Sequence, residues 1–311
     1  MSIKAKSKSL RKRIIVISLV TVFILFNFIG FNLGNKFYNE MINPSIDMEK
    51  DSYVSQYYKV LEMEDINVES KHGYNLKGIL VKNPSPSNDT IIINHGYTGG
   101  KRSMTNVADV YIEKGFNVVL YDMRGHGESG GRNSTFGYYE KDDLELVVKH
   151  IKKKYPDGIL GIHGYSRGAA AALLHAGVYN KDNNISFYII DSSWSDLRGK
   201  FVYQNEFVYE NEEYSNLEYS FILTYGNIVT RIRSGFWFGE ASPINYIGNV
   251  QTPIMFIHGK KDDVIPFEMT QELYDKKSGI KKMHILKHSG HRRSIILYKN
   301  VVYDFLDEIL N

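Results

Sequence analysis

The residues with the clearest chemical meaning are GYSRG at positions 164–168. A Ser with Gly two positions before and after it is typical of a sharp strand-to-helix turn, because larger side chains there would clash. An apolar run, LGIH, precedes the turn, and a helix-forming run, AAAA, follows it. The pattern predicts that Ser166 is a nucleophile at the start of a helix. The alternative is a Ser in a tight turn whose glycines serve packing only.

A Ser hydroxyl becomes an effective nucleophile when a base and an orienting acid accompany it. In the chain order Ser, Asp, His, the acid follows a later strand and the base follows the last strand. Asp262 and His291 occupy those two places. Asp263 is the alternative acid and His288 is the alternative base.

The oxyanion of an acyl-transfer reaction needs two backbone N–H donors, one of them from the residue after the nucleophile. That residue is Arg167, and the second predicted donor is Tyr97 in HGYTGG (95–100). The alternative for HGYTGG is an ordinary Gly-rich strand-to-helix turn.

Strand-like and helix-like segments alternate after about residue 59, which indicates a mostly parallel sheet with helices on its faces. One interval, about 193–248, is far longer than a crossover helix and is rich in Tyr and Phe. We interpret it as a helical cap over the carboxyl edge of the sheet, where α/β proteins bind ligands. Its aromatic side chains, Trp194 among them, either line an acyl or aryl pocket or simply pack against the body.

The N-terminal segment predicts a membrane anchor. Residues 1–13 carry six basic and no acidic side chains, and residues 14–35 carry no charge at all. As a helix, 22 uncharged residues span roughly 33 Å, about the thickness of a bilayer core. The basic leader places the N-terminus in the cytoplasm, and 36–58 is then a stalk that leads to an exported domain. A cleaved signal is the alternative, but no small-x-small cleavage site follows the apolar run.

Composition excludes several classes of protein. There is no Cys, so disulfides, thiolate metal sites and a Cys nucleophile are excluded. The net charge of +3 comes from the leader, because the rest carries 32 basic against 35 acidic residues, which argues against a nucleic-acid partner.

Two further motifs do not indicate a ligand site. His288 and His291 form a poor metal pair, since catalytic zinc usually has three protein ligands. The GxGxxG pattern at 125–130 lacks the helix start that dinucleotide binding requires.

Residues 60–311 resemble the α/β-hydrolase superfamily, and within it the bacterial esterase or serine-aminopeptidase-like group that includes Bem46-type proteins. The motifs that carry the resemblance are HGYTGG, YDMRGHGESGG, GYSRG, HGKKDDVIP and SGHRRS. The resemblance implies an eight-stranded, mostly parallel sheet, with Ser166 as nucleophile, Asp262 as acid and His291 as base. The chain departs from the family at Arg167, where an apolar residue is usual. Its guanidinium could bind a substrate carboxylate or phosphate, or form a salt bridge with a Glu of the cap.

These features together predict a membrane-anchored serine hydrolase with an α/β-hydrolase domain at 59–311. The expected substrate is a small-molecule or lipid-like ester, with Tyr97, Arg167 and Trp194 as candidate contacts. No metal or organic cofactor is expected, and a monomer is assumed. A serine peptidase and an acyltransferase are the chemical alternatives. A non-catalytic interaction protein is the alternative from a different class, and the complete set of Ser166, Asp262 and His291 argues against it.

Overall fold

The computed structural model describes residues 3–43, 61–180, 184–207, 215–291 and 295–310. Its strands are β1 (Met63–Glu69), β2 (Asn75–Val81), β3 (Thr90–Asn94), β4 (Asn117–Tyr121), β5 (Leu160–Tyr165), β6 (Phe187–Asp191), β7 (Ile254–Gly259) and β8 (Lys281–Leu286). Its helices are α1 (Ile3–Phe37), α2 (Thr105–Glu113), α3 (Glu140–Lys154), α4 (Arg167–Val178), α5 (Leu197–Phe207), α6 (Asn216–Ser234), α7 (Phe267–Lys276) and α8 (Lys299–Leu310).

These strands form one sheet in the order β1-β2-β4-β3-β5-β6-β7-β8. The pairs β1–β2 and β2–β4 are antiparallel, and every other pair is parallel. The predicted eight-stranded, mostly parallel sheet is therefore confirmed. Because the central strands run in parallel, the loops that carry the candidate site residues all leave the sheet at its carboxyl edge.

The sheet is covered on both faces. Successive side chains of a strand point to opposite faces, so Ile92 packs in one apolar cluster while Ile91 and Ile93 pack in the other. The first cluster includes side chains of α3, α4 and α7, and the second includes side chains of α2 and α8. The central strands are buried on both faces, which explains their uninterrupted apolar runs.

The N-terminal helix forms a separate compact unit with α6, and the sheet with the remaining helices forms another. α1 continues to Phe37, and a π-helical turn (Tyr38–Ile42) follows it. Residues 36–42, which the sequence analysis assigned to the stalk, are therefore helical. Phe37, Tyr38 and Ile42 are buried, whereas the residues of a polar stalk would be exposed to solvent. The rest of the predicted stalk, 44–58, lies outside the described residues.

The predicted cap, 193–248, is likewise divided between the two units. α5 belongs to the unit of the sheet, whereas α6 packs on α1. α6 has clear local end signals: Ser215 and Glu218 form a capping box at its start, and Gly235 ends it at a φ of 80°. Its partner is decided by packing, because Gly226 lies against Phe37 so closely that an added Cβ would be 2.6 Å from that ring.

Candidate active site

Ser166 stands at the turn between β5 and α4 in a strained conformation. Its φ is 55° and its ψ is −117°, and its N–H donates to the carbonyl oxygen of Asp191 at 2.7 Å. A Cβ on Gly164 would be 2.4 Å from a backbone oxygen of the same turn, and a Cβ on Gly168 would be 2.3 Å from the carbonyl oxygen of Asn94. Both glycines are therefore required by backbone contacts, as the sequence pattern predicts.

The structure brings Ser166, His291 and Asp262 into one hydrogen-bonded row. Ser166 Oγ lies 2.9 Å from His291 Nε2, and His291 Nδ1 lies 2.7 Å from Asp262 Oδ2. A carboxylate can only accept, so Nδ1–H donates to it and Nε2 is left to accept the Ser proton. The hydroxyl of Tyr165 donates to the carbonyl oxygen of His291 at 2.9 Å and holds the base in place.

The carboxylate of Asp262 is held by several groups besides His291. Its contacts are the amides of Val264 (2.9 Å) and Ile265 (2.8 Å), the hydroxyl of Ser192 (3.2 Å) and Nε2 of His258 (3.1 Å). Burial alone would raise the pKa of Asp262, but the contacts with His258 and His291 lower it well below its ordinary value. The acid is therefore an anion at neutral pH. The alternatives Asp263 and His288 are exposed.

The loop after β3 lies beside Ser166. A Cβ on Gly96 would be 3.6 Å from Cβ of Ser166, an ordinary contact, but 3.1 Å from the ring of Tyr165, which is closer than side chains normally pack. His95 fixes this loop: its Nε2 accepts an N–H from the loop after β4 at 2.9 Å, and its Nδ1 donates to the carbonyl oxygen of Gly96 at 2.7 Å. The N–H of Arg167 is at the first position of α4, where a helix offers no internal acceptor. Tyr97, the other predicted donor, directly follows Gly96.

The side chain of Arg167 lies under the loop after β3. It is 1% exposed, and its Nη2 donates to the carbonyl oxygens of Tyr97 (3.2 Å) and Gly96 (3.4 Å). The same nitrogen lies 2.6 Å from His126 Nε2, and the guanidinium covers the Tyr97 ring at 4.9 Å. Burial lowers the pKa of Arg167 to about 10, against the opposite influence of the Glu140 carboxylate. Through these contacts the guanidinium supports the loop after β3.

Sequence reasoning missed His126 and Glu140, which complete the surroundings of Arg167. Burial and the nearby guanidinium lower the pKa of His126 to about 4, so the imidazole is neutral at pH 7. The Glu140 carboxylate accepts N–H groups of Thr135 at 2.8 Å and Gly137 at 2.9 Å. His126 lies in the Gly-rich loop after β4, and Glu140 is the first residue of α3. No spacing rule links either residue to the elbow.

Of the other predicted substrate contacts, Trp194 is 1% exposed and Tyr97 is half-buried. The indole N–H of Trp194 donates to the carbonyl oxygen of Ala241 at 3.1 Å, and its ring lies 5.9 Å from that of Phe136. Among the described residues, no group of three or more His, Asp or Glu side chains could hold a metal ion.

Sequence comparisons show the family to which the chain belongs. The family profile described as serine aminopeptidase, S33, matches residues 85–201, which include the elbow and the loop after β3. The protein YqkD of Bacillus subtilis, itself uncharacterized, is 32% identical over 300 residues, which is 95% of each chain. The chain belongs to the α/β-hydrolase superfamily. It is a hydrolase enzyme, as predicted.

Two further relatives concern the fold and the N-terminal helix. An esterase of Pyrococcus furiosus superposes with a TM-score of 0.68 at 24% identity, over 88% of this chain and 99% of that chain. An uncharacterized membrane protein of Saccharomyces cerevisiae is 26% identical over 236 residues, which is 73% of this chain and 74% of the yeast protein. The helical stretch Leu10–Ile42, which comprises most of α1 and the π-helical turn after it, is long and apolar enough to span a membrane.

Proposed function

We propose that this hydrolase cleaves carboxylic esters through an acyl-enzyme intermediate. The observation that carries the proposal is the row of contacts from Ser166 Oγ to His291 Nε2 and from His291 Nδ1 to Asp262. His291 takes the Ser166 proton as Oγ attacks the ester carbonyl, and the resulting imidazolium gives that proton to the leaving alcohol. Water, deprotonated by the same imidazole, then releases the acid and restores the hydroxyl.

The amides of Tyr97 and Arg167 are the proposed donors to the oxyanion of both tetrahedral intermediates. Two features support this role: the first amide of α4 is free of helical hydrogen bonding, and the loop of Tyr97 is held beside Ser166 by His95 and by the Arg167 guanidinium. Donors that are already held in position need no reorganisation as charge develops, which makes such sites effective.

A serine peptidase is the second candidate, and the match to the serine aminopeptidase profile favours it. Peptide cleavage uses the same residues but requires protonation of an amine leaving group. An acyltransferase differs only in the group that resolves the acyl-enzyme, which is an alcohol instead of water. The matched segment, 85–201, holds the elbow but neither Asp262 nor His291.

We further propose that α1 anchors the enzyme in a membrane with its N-terminus in the cytoplasm. Exposed apolar side chains surround the helix from Ile14 to Phe26, as expected where a helix contacts lipid. From Asn27 onward one face of α1 contacts α6, so this part of the chain belongs to the folded protein, unlike a signal peptide that is removed. The six basic residues of the leader support the cytoplasmic position of the N-terminus.

The test of the chemistry uses the full chain in detergent micelles. A fluorophosphonate probe is expected to label the wild type and a Ser85→Ala control, and to leave Ser166→Ala unlabelled. Hydrolysis of p-nitrophenyl esters of graded chain length then reports the acyl preference. Labelling without ester turnover would favour the peptidase or the acyltransferase. Labelling of folded Ser166→Ala would contradict the assigned nucleophile.

The orientation is tested with single cysteines, since the chain has none of its own. In intact cells a membrane-impermeant maleimide is expected to label Ser85→Cys, in the sheet unit, and to reach Ser7→Cys only after lysis. Labelling of Ser7→Cys alone in intact cells would reverse the orientation, and recovery of both in the soluble fraction would contradict the anchor.

A further inference from the structure

Lys200 is a buried cation among neutral groups. It lies in the first half of α5 and is 7% exposed. Its Nζ is 5.1 Å from the centre of the Phe201 ring and 5.8 Å from those of Phe136 and Trp194. Its hydrogen bond goes to the amide oxygen of Gln204, at 2.6 Å. Aromatic faces and an amide attract an ammonium, but they do not neutralise it.

No carboxylate within the described ranges forms an ion pair with Lys200. Burial without an opposing charge lowers the pKa of Lys200 to about 7. Two other covered cations have acids nearby: the Glu140 carboxylate influences the buried Arg167, and Asp122 pairs with Lys101, which is 11% exposed. Removing an ammonium from water without a counter-ion is unfavourable, and an anion that binds there restores the balance.

The helix that carries Lys200 also contacts the loop of Asp262. Tyr203 is three positions further along α5, hence on the same side of the helix, and its hydroxyl donates to the carbonyl oxygen of Asp262 at 3.1 Å. Gly137, which follows Phe136, packs on Ala171 of α4, the helix that begins after Ser166. Residues next to the aromatic cluster in the chain therefore contact both the loop of Asp262 and the helix that follows Ser166.

Backbone strain marks the same region. Among the described residues, the non-glycine residues with positive φ are Phe136 (54°), Ser166 (55°) and Ser192 (58°). Ser166 is the proposed nucleophile, and Ser192 donates to the carboxylate of Asp262. Such strain is unfavourable and persists mainly at ligand and catalytic sites. Phe136, whose ring faces the Lys200 ammonium, shares this property with two residues of the site.

We propose that Lys200 binds an anionic group, a carboxylate or a phosphate, carried by the ester substrate, and that the enzyme therefore prefers anionic esters to neutral ones. This inference rests on the ester hydrolase function proposed above. The ammonium exchanges its hydrogen bond with Gln204 for a charge-assisted hydrogen bond to the anion, and the surrounding rings exclude water from that bond. The guanidinium of Arg167 does not supply this contact, because it donates to loop carbonyls instead.

The test compares matched esters on the full chain in micelles. For a carboxylate, the pair is mono-p-nitrophenyl succinate and p-nitrophenyl butyrate; for a phosphate, it is the phosphate monoester of monooleoylglycerol and monooleoylglycerol itself. The wild type is expected to have the higher kcat/KM on the anionic member of at least one pair, and the pair that responds identifies the anion. A wild type that prefers the neutral member of both pairs overturns the proposal.

Variants assign the preference to Lys200. Lys200→Met is expected to lower kcat/KM on the preferred anionic ester about tenfold or more, to change the neutral partner less than about twofold, and to be rescued in large part by Lys200→Arg. The matched control is Lys277→Met, which removes another buried lysine of lowered pKa, at the opposite edge of the sheet. Equal losses on anionic and neutral esters would overturn the proposal.

Binding supplies a readout that does not depend on turnover. Succinate or glycerol phosphate is expected to raise the melting temperature of Ser166→Ala, and to have no effect on the double variant that combines Ser166→Ala with Lys200→Met. If Lys200→Met does not fold, the wild-type ester preference and the Ser166→Ala shift still decide the matter. Absence of fluorophosphonate labelling and of all ester turnover would instead contradict the proposed function itself, and is thereby distinguished from a failure of this inference.

Discussion

At the scale of single residues, Arg167 shows how a side chain next to the proposed nucleophile can contact the protein instead of a substrate. Arg167 departs from the apolar residue usual there, and its sequence position suggests a contact with a substrate anion. In the structure its guanidinium donates to the carbonyls of Gly96 and Tyr97. It therefore supports the loop that carries one proposed oxyanion donor.

Replacement of Arg167 distinguishes support of the loop after β3 from contact with a substrate anion. Arg167→Met is expected to lower kcat/KM for anionic and neutral esters by the same factor, about tenfold, because the loop loses charge-assisted hydrogen bonds whatever the substrate. Steady-state kinetics on the matched ester pairs measure this effect, with Lys200→Met as the selective counterpart. A loss confined to anionic esters would show that the guanidinium contacts substrate after all.

His126 predicts a pH dependence of stability. Its pKa is lowered to about 4, against an ordinary value near 6.5 in the unfolded chain. Below pH 6.5 the unfolded chain therefore binds a proton at His126 that the folded chain binds only near pH 4. Stability from this residue is complete above pH 6.5 and falls by up to about 3 kcal/mol as the pH drops to 4.

The variant His126→Gln isolates that contribution, because an amide oxygen can still accept from Arg167 but does not titrate. Thermal unfolding between pH 4 and 7 is expected to show a shallower loss of melting temperature in His126→Gln than in the wild type. Parallel curves for the two proteins would assign the acid sensitivity to other groups.

At the scale of elements, the sequence did not predict that α6 packs against α1. Its contacts with α1 are close and specific: an added Cβ on Gly34 would be 2.6 Å from the backbone of Tyr225, and one on Gly30 would be 2.4 Å from the ring of that residue. The hydroxyl of Tyr225 donates to Asn27 at 2.9 Å. Small residues four apart and an interhelical hydrogen bond are typical of helix pairs in membranes.

Enlarging Gly34 is expected to separate the pair. Gly34→Leu forces its side chain against backbone atoms that cannot move locally, and overpacking of this kind typically lowers stability by about 1–3 kcal/mol. The measurements are the melting temperature in micelles and tryptic cleavage after Arg231 and Arg233, at the end of α6. Val22→Leu is the matched control, because Val22 is exposed on the same helix. Unchanged cleavage in Gly34→Leu would contradict the pairing.

At the scale of the whole molecule, these contacts join the apolar N-terminus to α6, a helix that lies far along the chain. A fragment that begins at residue 44 lacks α1 and the π-helical turn, and the α6 side chains that hydrogen-bond to them, Tyr225 and Ser234, then face water. We expect this fragment to be cleaved by trypsin after Arg231 and Arg233 much faster than the full chain in micelles. Equal resistance of fragment and full chain would show that α6 is stable without α1.

The sequence by itself determined the strands and their alternation with helices, and it selected Ser166, Asp262 and His291 as the first candidates for the site. These features depend on short segments of sequence. They are the periodicity of the strands, the steric requirement for glycine at the elbow, and the order of the loops along one edge of the sheet. Only the tertiary structure decided the partner of α6, the direction of the Arg167 side chain and the burial of Lys200 among aromatic rings. Each of these depends on shape and charge contributed by residues far apart in the chain, and no local spacing rule encodes such contacts.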